Sequence, residues 1–267
     1  MDIALTPTII ALAIISGIAV GFVLGLIGGG GSILALPLLV YVVGVPSVHM
    51  AIGTSAAAVA LNAMASLAAH ARRGNVRWLA AALFATAGIV GALAGAHMGK
   101  AFDGQKLLAM FGLVMILVGA NMLRPQSGVG RLDVELTRET AAKLVPRLLA
   151  IGCAVGLMSG FFGIGGGFLI VPGLMLATGM ALGNAVGTSL VAVSAFGLTT
   201  AGSYAWSGLV DWKLGALVVM GGVAGAFAGT ASSAFLGQKK RALALVFAAI
   251  VIIVGLFIVA RGITAYV

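Results

Sequence analysis

Acidic residues are scarce in this chain of 267 residues. Six Asp and Glu stand against 15 Lys and Arg, and charged residues make up only 8% of the total. A water-soluble domain carries about 25% charged residues, so a fold with a wholly water-facing surface is excluded. The single cysteine, Cys153, rules out an internal disulfide and offers no metal-ligand spacing. The three histidines, His49, His70 and His97, all fall in the first half. No metal centre and no cofactor is therefore expected. The net charge of +9 gathers in short loops with no interleaved aromatics, so it does not read as a nucleic-acid surface. The opening "MDIALTPT" has no basic stretch before its apolar run. The first apolar segment is thus expected to stay in the mature protein rather than leave as a signal peptide.

Apolar residues fill the space that charge leaves. They make up 61% of the chain, and the mean hydropathy is +1.21. Apolar stretches long enough to cross a bilayer recur along the whole length, which predicts an all-α polytopic membrane protein. Five apolar segments lie in each half, near 8–27, 32–45, 48–70, 77–99 and 106–123, then near 148–162, 167–181, 184–205, 213–234 and 242–262. Segments 32–45 and 167–181 are short for a hydrocarbon core of about 30 Å, so they either tilt across it or re-enter. The polar stretch between the halves divides the chain into a first membrane repeat (1–123), a cytoplasmic linker (124–147) and a second membrane repeat (148–267).

The halves are copies. Residues 17–44 align with 152–179 with 12 identities in 28 positions, and residues 53–78 align with 187–212 with 9 in 26. The matches include Pro37 with Pro172, "GTS" at 53–55 with "GTS" at 187–189, and Trp78 with Trp212. Charge then orients them. The loop ending at Trp78 carries Arg72, Arg73 and Arg77, whereas its partner ending at Trp212 carries only Asp211. The bias reverses at the next loop, where "LGQKKR" is basic and its partner "FDGQK" is nearly balanced. Opposite bias in equivalent loops is the mark of repeats inserted in opposite senses. With the N-terminus outside, eleven of the fifteen basic residues collect on the cytoplasmic side: three at 72–77, five in the linker and three at 239–241.

Glycine is the residue that needs explaining. Gly17, Gly21 and Gly25 recur at the spacing that lets helices approach closely in lipid, as do Gly91, Gly95 and Gly99, and Gly221, Gly225 and Gly229. The runs at 28–31 and 163–167 do not fit that spacing. Consecutive glycines disfavour helix, so each run predicts a break within an apolar segment. A broken helix exposes a new N-terminus with unpaired N–H groups and partial positive charge. Aimed at a wet cavity, that is an anion site; aimed at neighbouring helices, it is a packing hinge. Thr54, Ser55, Thr188 and Ser189 either bond back to their own helix or offer hydroxyls to a bound oxyanion. The candidate substrate-binding residues are Gly30, Gly31, Ser32, Thr54, Ser55 and Asn62 in the first repeat. In the second they are Gly165, Gly166, Gly167, Thr188, Ser189 and Ser194. Ser66, Thr199, Thr200, Ser203 and Tyr204 are further polar positions that could line a path. All six acids lie outside the apolar segments, which gives no support to coupling through an intramembrane carboxylate.

The motifs "GLIGGGGSILALP" and "GFFGIGGGFLIVP", each followed by "GTS" and then by a loop ending in Trp, resemble the TauE/SafE family of sulfite exporter-like membrane proteins. The resemblance covers almost the whole chain. It implies an inverted-repeat secondary transporter of sulfur-containing anions such as sulfite or an organosulfonate like sulfoacetate. The residues themselves reach only a transporter with a site for a small oxyanion. The alternatives are a channel-like anion permease and a non-transporting membrane assembly protein. An intramembrane enzyme is disfavoured, because residues 157–160 read "LMSG" rather than a Gly-x-Ser-Gly nucleophile motif and the second half has no histidine. The expected partners are a small anionic substrate and the lipid bilayer of the cell's inner membrane, with no nucleic acid. The oligomeric state stays open, a homodimer included.

Overall fold

The computed structural model describes residues 5–27, 31–123, 138–165, 167–235 and 240–264. Ten helices, and no strand, occur among the described residues. In chain order the first five are α1 (Pro7–Ile27), α2 (Ser32–Pro37, continuing as a wider π-helical turn over Leu38–Val43), α3 (Val48–Arg72), α4 (Trp78–Ala101) and α5 (Gly104–Leu123). The second five are α6 (Arg138–Phe162), α7 (Gly167–Thr178), α8 (Leu182–Trp206), α9 (Trp212–Phe235) and α10 (Lys240–Thr264). Eight of the ten are long and apolar enough to cross a membrane. The two exceptions are the short segments. Twelve residues of α-helix reach about 18 Å, well under the hydrocarbon thickness, so α7 alone does not cross. Helix α6 starts at Arg138, within the polar stretch and well before its apolar part begins, because "RETAAKL" is itself a good helix former.

Burial ranks the helices. The central pair is α3 and α8, whose apolar windows are 72% and 67% buried, whereas α5 and α10 reach only 33% and form the rim. Helices α1 and α9 pair tightly, as do α4 and α6, and the reason is glycine on both faces of each contact. A methyl group on Gly21 would collide with the backbone of Gly222, and one on Gly225 with the carbonyl of Ile18. Likewise, one on Gly95 would strike the Leu157 carbonyl, and one on Gly156 the Gly88 carbonyl. Lipid tails are as apolar as leucine, so burial alone does not drive helices together in a bilayer. Close van der Waals packing does, and only the absence of Cβ permits it. Contacts climb in step, Gly17 to Val218, Gly21 to Gly222 and Gly25 to Ala226, so α1 and α9 run parallel. The rim pair is antiparallel, with Gly112 against Gly255 and Gly119 against Ala248.

Polar capping starts the helices. Ser47 Oγ accepts the Met50 N–H at 3.3 Å at the head of α3, Asp103 Oδ1 accepts the Lys106 N–H at 3.0 Å for α5, and Asp211 Oδ1 accepts the Leu214 N–H at 2.9 Å for α9. Two of the six acids are thus committed to helix starts. The close contacts give a direct expectation. Gly21→Ala should destabilise the protein by about 1–3 kcal/mol through overpacking. Gly202→Ala, on α8 where an added methyl meets nothing within 4 Å, should be neutral or stabilise by up to about 1 kcal/mol. Thermal melts of the two variants in detergent check the contrast.

Candidate functional site

The central helix pair is held at its two ends by hydrogen bonds that mirror each other. Thr54, near the start of α3, accepts the backbone N–H of Asp211 at 3.0 Å. Thr188, near the start of α8, accepts the backbone N–H of Arg77 at 3.0 Å. Asp211 follows the end of α8 and Arg77 follows the end of α3, so the two bonds make α3 and α8 antiparallel and tie them at both ends. Each bond joins a "GTS" threonine of one repeat to the residue before the tryptophan of the other. The turns they grip also match. After α3 the N–H of Asn75 bonds to the His70 carbonyl, and after α8 the N–H of Leu209 bonds to the Tyr204 carbonyl.

Between these ties lies the second glycine break. Helix α6 ends at Phe162, where the N–H groups of Gly163 and Ile164 both bond to the Ser159 carbonyl, at 2.9 and 3.3 Å. Gly163 at φ 68° and Gly165 at φ 62° are left-handed, a conformation that glycine adopts without strain, so the helix stops here by design of sequence. The chain then re-forms helix at Gly167. Gly165 sits beside Val59 of α3 and Val193 of α8; an added methyl would lie 3.2 and 3.6 Å from their side chains. Those valines are repeat equivalents, and each lies within one residue of the middle of a 25-residue helix. The break is therefore buried at mid-depth of the central pair. Ser55 touches it from α3, donating to the Ile52 carbonyl at 3.0 Å with the Gly163 carbonyl at 3.5 Å.

Several polar atoms from mid-depth to the ends of α3 and α8, and one on α6, are buried without a protein partner. They are the Ser159 hydroxyl, both carboxamide atoms of Asn62, the hydroxyls of Ser66, Thr200 and Tyr204, and both ring nitrogens of His70. A buried hydroxyl or amide without a partner costs about 1–3 kcal/mol, so a folded protein keeps such groups where something else uses them. Among the described residues no three His, Cys, Asp or Glu side chains come together.

Residues 13–258 match the family described as sulfite exporter TauE/SafE. The chain belongs to the TauE/SafE family. A probable membrane transporter protein of Xylella fastidiosa (strain Temecula1) is 47% identical over 247 residues, which cover 92% of this chain and 94% of that protein. The probable membrane transporter protein YunE of Bacillus subtilis is 26% identical over 271 residues, covering 94% and 98%, and YdhB of the same organism is 28% identical over 209, covering 78% and 84%. No solved structure matches. The molecule is thus a multi-pass membrane transporter of the TauE/SafE family and not an enzyme.

The TauE/SafE fold brings some of the sequence-selected residues together and separates others. Gly165 and Gly167 lie at the break, Ser55 lies against it, and Asn62 and Ser194 lie near the middles of α3 and α8. Ser32 is fully buried in the first turn of α2, and Gly31 packs against Val20 and Leu24 of α1. Gly30 and Gly166 lie outside the described residues. Ser189 and Ser194 donate to the carbonyls of Val186 and Leu190 on their own helix, at 2.7 and 2.8 Å. Thr54 and Thr188 stand at opposite ends of the central pair, more than about 20 Å apart by helix rise, so one small anion does not reach both. Their accepting oxygens serve the loop ties. Ser159, weighed in the sequence only as part of "LMSG", is not among the candidate substrate-binding residues. The signal for it was its repeat equivalent Leu24, an apolar residue where this copy has a hydroxyl.

The ties make a test. Thr54→Val and Thr188→Val each leave a backbone N–H without its acceptor and should lower stability by about 1–3 kcal/mol. Thr→Ser at either position should retain most of it. Because the two sites lie at opposite ends of the pair, the double valine variant should be additive within about 0.5 kcal/mol, as read from denaturation midpoints.

Proposed function

We propose that this transporter moves a small sulfur-containing oxyanion, sulfite or an organosulfonate such as sulfoacetate, by alternating access. It binds the anion near the bilayer midplane, where α6 breaks and α7 begins. The observation that carries this reading is the break after Phe162, whose Gly165 is buried beside Val59 and Val193. A helix that restarts at mid-depth brings unpaired N–H groups and the positive end of its dipole to the level where a carrier holds its substrate. Asn62 lies at the same depth with an uncommitted amide donor. No Asp or Glu lies within α3, α7 or α8, so nothing there repels an anion.

The arrangement also supports inverted repeats in an inner membrane, with the N-terminus outside and the 124–147 linker in the cytoplasm. Equivalent helices α3 and α8 are antiparallel, and α1 runs parallel to α9, the counterpart of α4. Trp78, Trp206 and Trp212 are exposed at helix ends, as residues of the membrane interface are. The basic groups at 72–77 and 239–241 then share the cytoplasmic side. Reporter fusions check this: a periplasm-dependent phosphatase joined after residue 103 or 208 should be active, and one joined after residue 74 should be silent.

Binding is tested first with purified protein and a panel of sulfite, sulfate, thiosulfate, sulfoacetate, taurine and acetate at matched ionic strength. A selective ligand raises the melting temperature by mass action. Sulfite or a sulfonate should do so, and the same anion should show counterflow in liposomes, which a channel-like permease would not. Gly165→Val should abolish both, whereas Gly165→Asn, which tolerates the left-handed turn, should keep the fold. A panel with no shift and no flux would sink the proposal.

A further inference from the structure

Asn62, Ser66 and His70 follow one another at four-residue steps on α3, so they form one stripe. They are 0%, 2% and 8% exposed. Their repeat equivalents on α8 are Phe196, Thr200 and Tyr204, all fully buried. Both stripes lie in matching interfaces. Asn62 rests on Gly222 of α9, where an added methyl would collide with its carboxamide, and Ser66 faces Ala226 and Thr230 of α9 across a small pocket. Phe196 rests on Gly88 of α4 in the same way, and the Tyr204 hydroxyl lies against Gly99 of α4.

Five of these six side chains are polar, and each of the five has atoms buried without a partner. Packing does not account for that. A buried hydroxyl, amide or imidazole that serves only to fill space is replaced at no loss by an apolar group of its shape. The stripes also lead somewhere. The one on α3 runs from mid-depth to Arg72 and Arg73, both exposed. The one on α8 runs from mid-depth to Lys100, whose Nζ lies 5.8 Å from the Tyr204 ring centre, and to His49, whose ring lies 6.4 Å from it. Because α3 and α8 are antiparallel, these cationic ends lie on opposite faces of the molecule.

We propose that the two stripes are the two halves of one anion path. The α3 half opens to the Arg72–Arg73 side when α9 parts from α3, and the α8 half opens to the Lys100 side when α4 parts from α8. Both halves are closed in this structure. Where the α8 half begins with the apolar Phe196, the α3 half begins with Asn62, so the anion meets a hydrogen-bond donor on one side of the midplane and an apolar stop on the other. The inference rests on the carrier reading above and adds to it the route and the two moving seams.

Thiol accessibility tests it. Ser66→Cys and Thr200→Cys are near-isosteric and are made separately in a Cys153→Ser background. Each is exposed to an anionic, membrane-impermeant thiosulfonate reagent in right-side-out and inside-out vesicles, with sulfoacetate counterflow measured in parallel on vesicles of the Cys153→Ser protein that carries neither path substitution. Ser66→Cys should lose its free thiol only from the Arg72–Arg73 side, and Thr200→Cys only from the other. In the unsubstituted protein, Cys153, exposed on the membrane-spanning helix α6, should react from neither. Modification of both from one side, of either from both sides, or of neither would overturn the path. Counterflow without the sided pattern refutes the path and leaves the carrier standing; the sided pattern without counterflow leaves the path standing and removes the substrate assignment.

Discussion

The whole assembly depends on backbone meeting backbone across a glycine face. In α1–α9 and α4–α6 the helices approach so closely that a single methyl would strike a carbonyl oxygen of the partner. In water such contacts would be a minor addition to burial. In a bilayer they are the main source of helix association, since lipid competes equally for every apolar side chain. The close pairs fix where α3 and α8 stand between them. That in turn buries the break after Phe162 at mid-depth.

The two threonine ties work on a different scale. Each supplies only one hydrogen bond, yet each closes the end of a helix of one repeat onto a loop of the other. Both bonds are part-buried at the ends of the central helices, so each supplies about 1 kcal/mol and its main effect is to fix where the loop sits. The hydroxyl of a "GTS" motif thereby acts as a joint. The donor proton of each threonine is not used by the tie.

Much of this was legible beforehand, because it depends on local rules. Ten apolar segments became ten helices, and glycines at four-residue spacing became helix contacts, since both follow from composition and periodicity along one element. The second glycine run became a stop at Phe162 and a restart at Gly167 for the same reason. The threonines were harder: Thr54 bonds a residue 157 positions away and Thr188 one 111 away, and nothing local separates a back-bonded hydroxyl from one that crosses the bundle. The buried polar stripes were only partly visible. Their spacing can be counted in the sequence, but whether an amide such as that of Asn62 finds a partner depends on what its neighbours present.

Among the described residues, the four most extensive helix pairs each join one half of the chain to the other: α1 with α9, α4 with α6, α3 with α8 and α5 with α10. This sets a schedule for biosynthesis. Residue 27 ends α1 and residue 212 begins α9, so at translation speeds of 5–20 residues per second α1 waits roughly 10–40 s for the surface it was shaped to meet. Through that interval its glycine face is open to lipid or to any other small-residue helix nearby. The newborn first half is therefore an unfinished interface, and the surroundings that shelter it until the second half arrives share in deciding whether this protein assembles.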